Sequence, residues 1–123
     1  MRISASGLNA ERFRMDVISS NIANAHTMKI GSQEPYRRRM VSLVGSEQGV
    51  RIGGILEDQR PFRVEREPGN PLADENGNVV YSNVEPIEEM VNMISAGRAY
   101  EANIAAFNAA KEMIKSALTI GRV

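Results

Sequence analysis

The chain has 123 residues, with 15 Lys plus Arg against 15 Asp plus Glu, so its formal net charge is zero. That balance leaves no electrostatic footprint for nucleic acid or for an anionic membrane surface. There is no cysteine and no tryptophan, and only three Phe and three Tyr, which excludes disulfides, cysteine nucleophiles, cysteine metal sites and a large aromatic core. No apolar run approaches the ~18 residues of a membrane-spanning helix. The start, Met1 to Ser6, lacks the apolar stretch of a cleavable secretory signal.

The first region, residues 1–30, reads as a helix from about Ser4 to Ala25. Leu8, Met15, Ile18, Ile22 and Ala25 recur at steps of 7, 3, 4 and 3, which places them on one face. Ala5, Ala10, Ala23 and Ala25 keep that helix thin enough for close packing. Ser19, Ser20, Asn21 and Asn24 make its last turns polar and weaken helix propensity there.

The second region, residues 31–84, is β-rich. A polar connector from His26 to Pro35 leads into expected strands at Tyr36–Val44, Val50–Leu56, Phe62–Glu65 and Val79–Tyr81. Pro61, Pro68 and Pro71 fall between those runs, as residues without an N–H donor should. Asn76-Gly77 predicts a type I′ turn, which needs two residues tolerant of positive φ. So few short strands make a marginal core that depends on the helices or on neighbours.

The third region, residues 85–123, predicts one helix from Pro86 to about Ile120. Pro86 suits the first turn, Glu88 and Glu89 suit the positive end of the dipole, and Gly121 suits the stop. Ile87, Met90, Ile94, Gly97, Tyr100, Ile104, Phe107, Ile114 and Leu118 form a stripe broken by Lys111, with a mean step of about 3.5, as in a coiled-coil seam. At 1.5 Å per residue such a helix is about 50 Å long, whereas a compact globule of this size is roughly 35 Å across. The helix must protrude and bury its stripe on the other end of the chain or on another subunit. The expected fold is therefore α+β: long terminal helices in a coiled-coil-like hairpin around a small central β module.

Catalytic and metal readings find little support. His26 is the only histidine, and zinc would need carboxylates around it at spacings that do not occur. Asp74, Asn76, Asn78 and Glu85 superficially match a calcium loop, but Val79 stands where the sharp-turn glycine belongs. Arg37-Arg38-Arg39 would alternate faces in a strand and so form no single phosphate patch. Gly53-Gly54 lacks the spacing of a phosphate loop. Glu65, Glu67, Asp74 and Glu75 could be cast as the paired acids of a cell-wall hydrolase or sugar-binding module, without aromatic platforms beside them. The expectation is no enzyme, no cofactor and no metal.

Three stretches carry a resemblance. Ile3 to Leu8 with Arg14 to Ala25, and above all Ser20-Asn21-Ile22-Ala23-Asn24-Ala25, resembles the N-terminal signature of bacterial flagellar rod and hook proteins. Glu89-Met90-Val91 through Ser95-Ala96, with Arg98-Ala99-Tyr100-Glu101-Ala102-Asn103, is similar to the matching C-terminal signature. Glu67 to Gly77 with Asn83-Val84 resembles the centre of a short proximal-rod member, as against the longer members of the family. Two departures are a start several residues later than is usual and Gly97 where a larger polar residue is more common.

The resemblance implies a structural axial subunit of the flagellar basal-body rod, located in the periplasm. It implies export unfolded through the flagellar type III apparatus, then helical polymerisation with other copies. FlgB, FlgF and the adaptor FliE are the implied neighbours. On this reading the terminal helices form the tube around the export channel and the β module faces outward. Ser20, Asn21, Ala23, Asn24, Arg98, Tyr100, Glu101 and Asn103 are the implied family positions.

Overall fold

Helix α1 spans Arg2–Ala23 and helix α2 spans Pro86–Ile120 in a computed structural model that describes residues 2–121. Two contacts set their relation. Asn21 of α1 hydrogen-bonds Glu89 of α2, and Gly7 of α1 lies against Asn103 of α2. The contacts are equally spaced on the two helices and run in opposite senses, so α1 and α2 form an antiparallel hairpin. Arg2 then falls level with residue 108, and α2 continues for about 18 Å past the start of α1. From Lys111 to Gly121 every residue is exposed.

The ends of these helices follow from their sequences. The polar last turns of α1 give way after Ala23, where Asn24 donates its side-chain amide to the Ser20 carbonyl and Ala25 N–H tightens onto Ile22. Helix α2 starts on Pro86 after an extended Glu85, with Glu88 and Glu89 in the first turn. It stops at Gly121, whose N–H reaches the Ala117 carbonyl.

Between the helices lie two antiparallel hairpins. Strands β1 (Arg39–Ser46) and β2 (Gly49–Glu57) pair across a two-residue turn, with a register shift after Ser42 where Gly53 is the extra residue. The Gly53-Gly54 dipeptide therefore makes a β-bulge, and Gly54 takes φ 153°, open to glycine at little cost. The tip of this hairpin rests on the beginning of α1, where Val50 N–H donates to the Ser6 hydroxyl at 3.0 Å. Strands β3 (Arg63–Arg66) and β4 (Asn78–Tyr81) form the second pair. Thr27 and Lys29 add a rung to β4 and its end through Lys29 N–H to the Val80 carbonyl and Ser82 N–H to the Thr27 carbonyl.

Three expectations change. Tyr36 to Arg38 precede the first strand, because their backbone groups are taken by Thr27, Asn83 and Asp58 rather than by a neighbouring strand. The Asn76-Gly77 turn is not type I′: only Gly77 has positive φ, and the turn is closed by Gly77 N–H on the Asp74 carbonyl. The Asp74 side chain also accepts from the N–H groups of Asn76 and Asn78, which stabilises a wider loop. Helix α1 ends at Ala23, short of Ala25.

The apolar core is small. Ala10, Val17, Ile18, Ala25, Val79, Val84 and Ala96 are its buried hydrophobic members. The accessible surface is 8567 Å², against roughly 6,500 Å² expected for a compact monomer of this mass. The excess comes from a hairpin with one bare arm.

Candidate functional site: helix seams and the polar junction

The seam inside the chain is built from small and polar residues. On α1 it is Gly7, Ala10, Arg14, Val17 and Asn21; on α2 it is Glu89, Met93, Ala96, Tyr100, Asn103, Phe107 and Ala110, all buried or half-buried. Both sets step by alternating threes and fours. Large residues face small ones: Asn103 sits so close to Gly7 that a Cβ there would lie 2.5 Å from its Oδ1. By the same register Tyr100 falls opposite Ala10, and Ala96 opposite Arg14.

This differs from the stripe expected on α2. Ile87, Met90 and Ile94 are exposed, at 78%, 53% and 63%, on the side of α2 turned away from α1. Ile104 is exposed at its margin, and Ile114 and Leu118 lie exposed on the overhang; only Phe107 of that set, with Tyr100, sits in the intrachain seam. Of the two partners anticipated for the stripe, the other end of the chain is thus not the one that covers Ile87, Met90 and Ile94. On α1, Ile18 is buried while Leu8, Met15 and Ile22 are half-buried.

Where the hairpin meets the strands, a polar junction takes the place of an apolar core. Asn21 is fully buried and uses its whole hydrogen-bonding capacity. Its Oδ1 accepts from Tyr36 Oη at 2.8 Å and from Arg39 N–H at 3.0 Å, and its Nδ2 donates to the Arg39 carbonyl at 2.8 Å and Glu89 Oε2 at 3.2 Å. The side chain therefore pairs with Arg39 as a neighbouring strand would. Glu89, also fully buried, accepts from Arg38 Nε at its other oxygen.

Arg38 then reaches Asp58 Oδ2 at 3.1 Å, Arg60 donates to Asp58 and to both oxygens of Glu88, and Asn83 ties Arg38 N–H to the Asp58 and Arg60 carbonyls. Two guanidinium groups thus face three carboxylates. Every buried side-chain nitrogen and oxygen among the described residues has a partner, the condition under which a buried ionic network is tolerated.

The electrostatics follow from these contacts. Burial works against the Arg38 charge, but Glu89, Asp58 and Glu88 outweigh it and raise its pKa. Burial likewise pushes the Asp58 carboxyl up, yet the Arg60 N–H and the Arg60 and Arg38 guanidinium groups hold it below its ordinary value. Arg60 is raised, first by Glu88 and then by Asp58. Glu88 is lowered, chiefly by Arg60.

The family positions divide. Asn21 is the centre of the junction; Ser20 Oγ lies 3.3 Å from Tyr36 Oη, and Asn24 caps the Ser20 carbonyl. Asn103 and Tyr100 belong to the intrachain seam, with Asn103 Nδ2 donating to the Ala99 carbonyl at 2.9 Å. Ala23, Arg98 and Glu101 are exposed. Nothing lies within 4 Å of a Cβ built on Gly97. The sequence reading missed Tyr36, Arg38, Asp58, Arg60 and Asn83, because no local signal links Arg38 to a carboxylate 51 residues away.

The alternative sites come apart. Glu67 accepts from the Tyr81 hydroxyl, which raises the Tyr81 pKa, and Glu65 pairs with Arg63. Asp74 is spent on its own turn. Arg37 lies over the Phe62 ring and Arg39 over the Tyr36 ring, so the arginine run is divided among internal partners. Among the described residues, no group of three or more His, Cys, Asp or Glu could hold a metal ion.

Comparison with known proteins accords with this architecture at both ends. Residues 1–28 match the family described as flagella basal body rod protein, and residues 75–120 match the C-terminal family of the flagellar basal body rod FlgEFG proteins. A helix hairpin bearing both signatures is an axial protein of the flagellar rod and hook class. Among curated relatives, the flagellar basal-body rod protein FlgC of Bacillus subtilis is 40% identical, over 99% of this chain and 96% of its own length. FlgC of Salmonella typhimurium is 40% identical and that of Borreliella burgdorferi 38%, each over 98% of this chain and 94% of the relative. The chain belongs to the FlgC family of flagellar basal-body rod proteins. It is a structural subunit of the rod, from a family that is not enzymatic.

Proposed function

We propose that this subunit polymerises helically through its terminal helices to form part of the proximal drive shaft and of the wall around the export channel. One observation carries the reading: α2 extends about 18 Å beyond its intrachain partner and exposes Met113, Ile114, Leu118 and Ile120. A bare apolar arm on a polar-rimmed protein marks an interaction surface. On this reading the arm meets a different face of the next subunit, a heterologous contact, and such contacts propagate a filament instead of closing a dimer.

On this reading the assembly seam comprises Leu8, Met15, Ile18 and Ile22 on α1 with Ile87, Met90, Ile94, Ile104, Phe107, Ile114 and Leu118 on α2. The segment of residues 31–84 faces outward. The subunit passes unfolded through the flagellar type III export apparatus and assembles in the periplasm, beside other copies, FlgB, FlgF and FliE. A chain without cysteine crosses an oxidising space without disulfide scrambling. Electron micrographs of basal bodies purified with and without this protein test the reading: its loss is expected to leave no completed rod, and intact rods without it would overturn the proposal.

A further inference from the structure

Asn76 is the one asparagine of this chain that is followed by glycine. It stands exposed in the loop that joins β3 to β4. An asparagine carboxamide carries an electrophilic carbon, Cγ, and the next peptide nitrogen can reach it by closing a five-membered ring. A side chain on the following residue hinders that closure at its Cβ. Gly77 has no Cβ and so presents the least obstructed nitrogen. The other asparagines precede Ala, Ile, Val, Met or Pro.

The folded loop opposes the same closure. Gly77 N–H donates to the Asp74 carbonyl at 3.0 Å, and the Gly77 carbonyl accepts from Glu67 N–H at 2.9 Å. Asp74 Oδ1 accepts from the N–H groups of Asn76 and Asn78, each at 2.9 Å. The peptide groups on both sides of Asn76 are therefore tied to Asp74. For attack, the Gly77 nitrogen must give up its proton and its bond to Asp74, then turn towards the Asn76 side chain. That requires the loop to open first.

We propose that Asn76 is a site of spontaneous deamidation and that Asp74 guards it in the folded chain. Hydroxide removes the Gly77 amide proton, and the nitrogen attacks Asn76 Cγ. The new C–N bond forms as the Cγ–Nδ2 bond breaks, and the amide nitrogen leaves as ammonia after taking a proton from water. Water then opens the succinimide at either carbonyl to give aspartate or isoaspartate, with no change of oxidation state. Both products carry one added negative charge. Isoaspartate also inserts a methylene into the backbone two residues before Asn78, which pairs with Arg66 at the end of the β3–β4 ladder.

The test uses the full chain at mildly alkaline pH, folded in buffer and unfolded in concentrated guanidinium chloride. The chain is formally neutral, so its product separates from the parent on isoelectric focusing. Tryptic cleavage after Arg66 and Arg98 isolates Asn76 with Asn70, Asn78, Asn83 and Asn92, and fragmentation of that peptide tells them apart. Conversion is expected first at Asn76 and faster with rising pH. It should be at least about tenfold slower in the folded chain, the factor set by an opening cost of 1.4 kcal/mol. Asp74→Ala should speed the folded chain and leave the unfolded rate unchanged. Asp74→Asn, which keeps an oxygen acceptor, should restore the protection.

First conversion at another asparagine, an unfolded chain that does not convert, or a folded chain that converts as fast as the unfolded one would each overturn the proposal. So would a folded Asp74→Ala chain as slow as wild type. Should that variant not fold, the comparison of folded with unfolded wild type decides. None of these outcomes touches the rod reading, which rests on the helices.

Discussion

The carboxamide of Asn21 and the carboxylate of Glu89, 68 residues apart in the chain, meet at 3.2 Å with both side chains fully buried. This contact joins the end of α1 to the beginning of α2, and through Arg38 and Arg39 it joins both to the strands. Asn21 bonds the Arg39 backbone through both its N–H and its carbonyl. A seam residue of α1 thereby fixes where β1 begins.

Glu89→Ala should consequently be among the most damaging single substitutions. It leaves Asn21 and Arg38 each one partner short inside the protein, and breaking a buried pair from one side costs about 3 kcal/mol. Asn21→Leu should cost a similar amount, because it removes the side-chain partner of both Arg39 backbone groups and takes one partner each from Tyr36 Oη and Glu89. Urea unfolding of purified monomer checks both, and losses below about 1 kcal/mol would show that the junction is peripheral.

The same junction sets an acid limit. The carboxyls of Asp58 and Glu88 titrate below their ordinary values in the folded chain. A depressed folded pKa contributes stability that is complete above the unfolded value and is lost as pH falls through the folded one. Arg38 and Arg60 have raised values and stay charged throughout that range. The melting temperature should hold from pH 8 to about 5 and then fall below about pH 4. Asp58→Asn with Glu88→Gln should lower the plateau and flatten the drop; an equally steep drop would place the acid sensitivity elsewhere.

Gly7 is predicted to be intolerant of a single methyl. Asn103 fills the space a Cβ would need, while its amide is held by the Ala99 carbonyl. Gly7→Ala should destabilise the hairpin by roughly 1–2 kcal/mol through overpacking. Adding Asn103→Ala should recover most of that, which a double-mutant cycle measures as a coupling. Purely additive effects would mean the two side chains do not compete for the same volume.

Protection against hydrogen exchange should divide α2 into two parts. From Pro86 to Ala110 the helix carries the residues packed on α1 and on the junction, whereas residues 111–120 are all exposed in the single chain. Amides in the second part should exchange far faster in dilute monomer and gain protection on assembly. Uniform protection along α2 in the monomer would contradict the idea that the overhang waits for a partner.

The sequence alone determined the elements. Pro86 and Gly121 mark the two ends of a helix that needs no partner to be recognised, the four strands fall near their apolar runs, and the terminal signatures disclose the family. Which side of α2 meets α1 was decided only in three dimensions. Two faces of that helix have a spacing near 3.5, and hydrophobicity favours Ile87, Met90 and Ile94, yet the buried face is Glu89, Met93, Ala96, Tyr100 and Asn103. The reason is that close approach at Gly7, Ala10 and Ala96, with full pairing of Glu89 by Asn21 and Arg38, stabilises a seam that a tally of apolar side chains undervalues. Asp58, Arg60 and Asn83 were illegible for a related reason. Each is an ordinary polar loop residue until the fold brings one distant partner, Arg38 for Asp58, Glu88 for Arg60 and the Asp58 carbonyl for Asn83, each 20 or more positions away, within hydrogen-bonding distance.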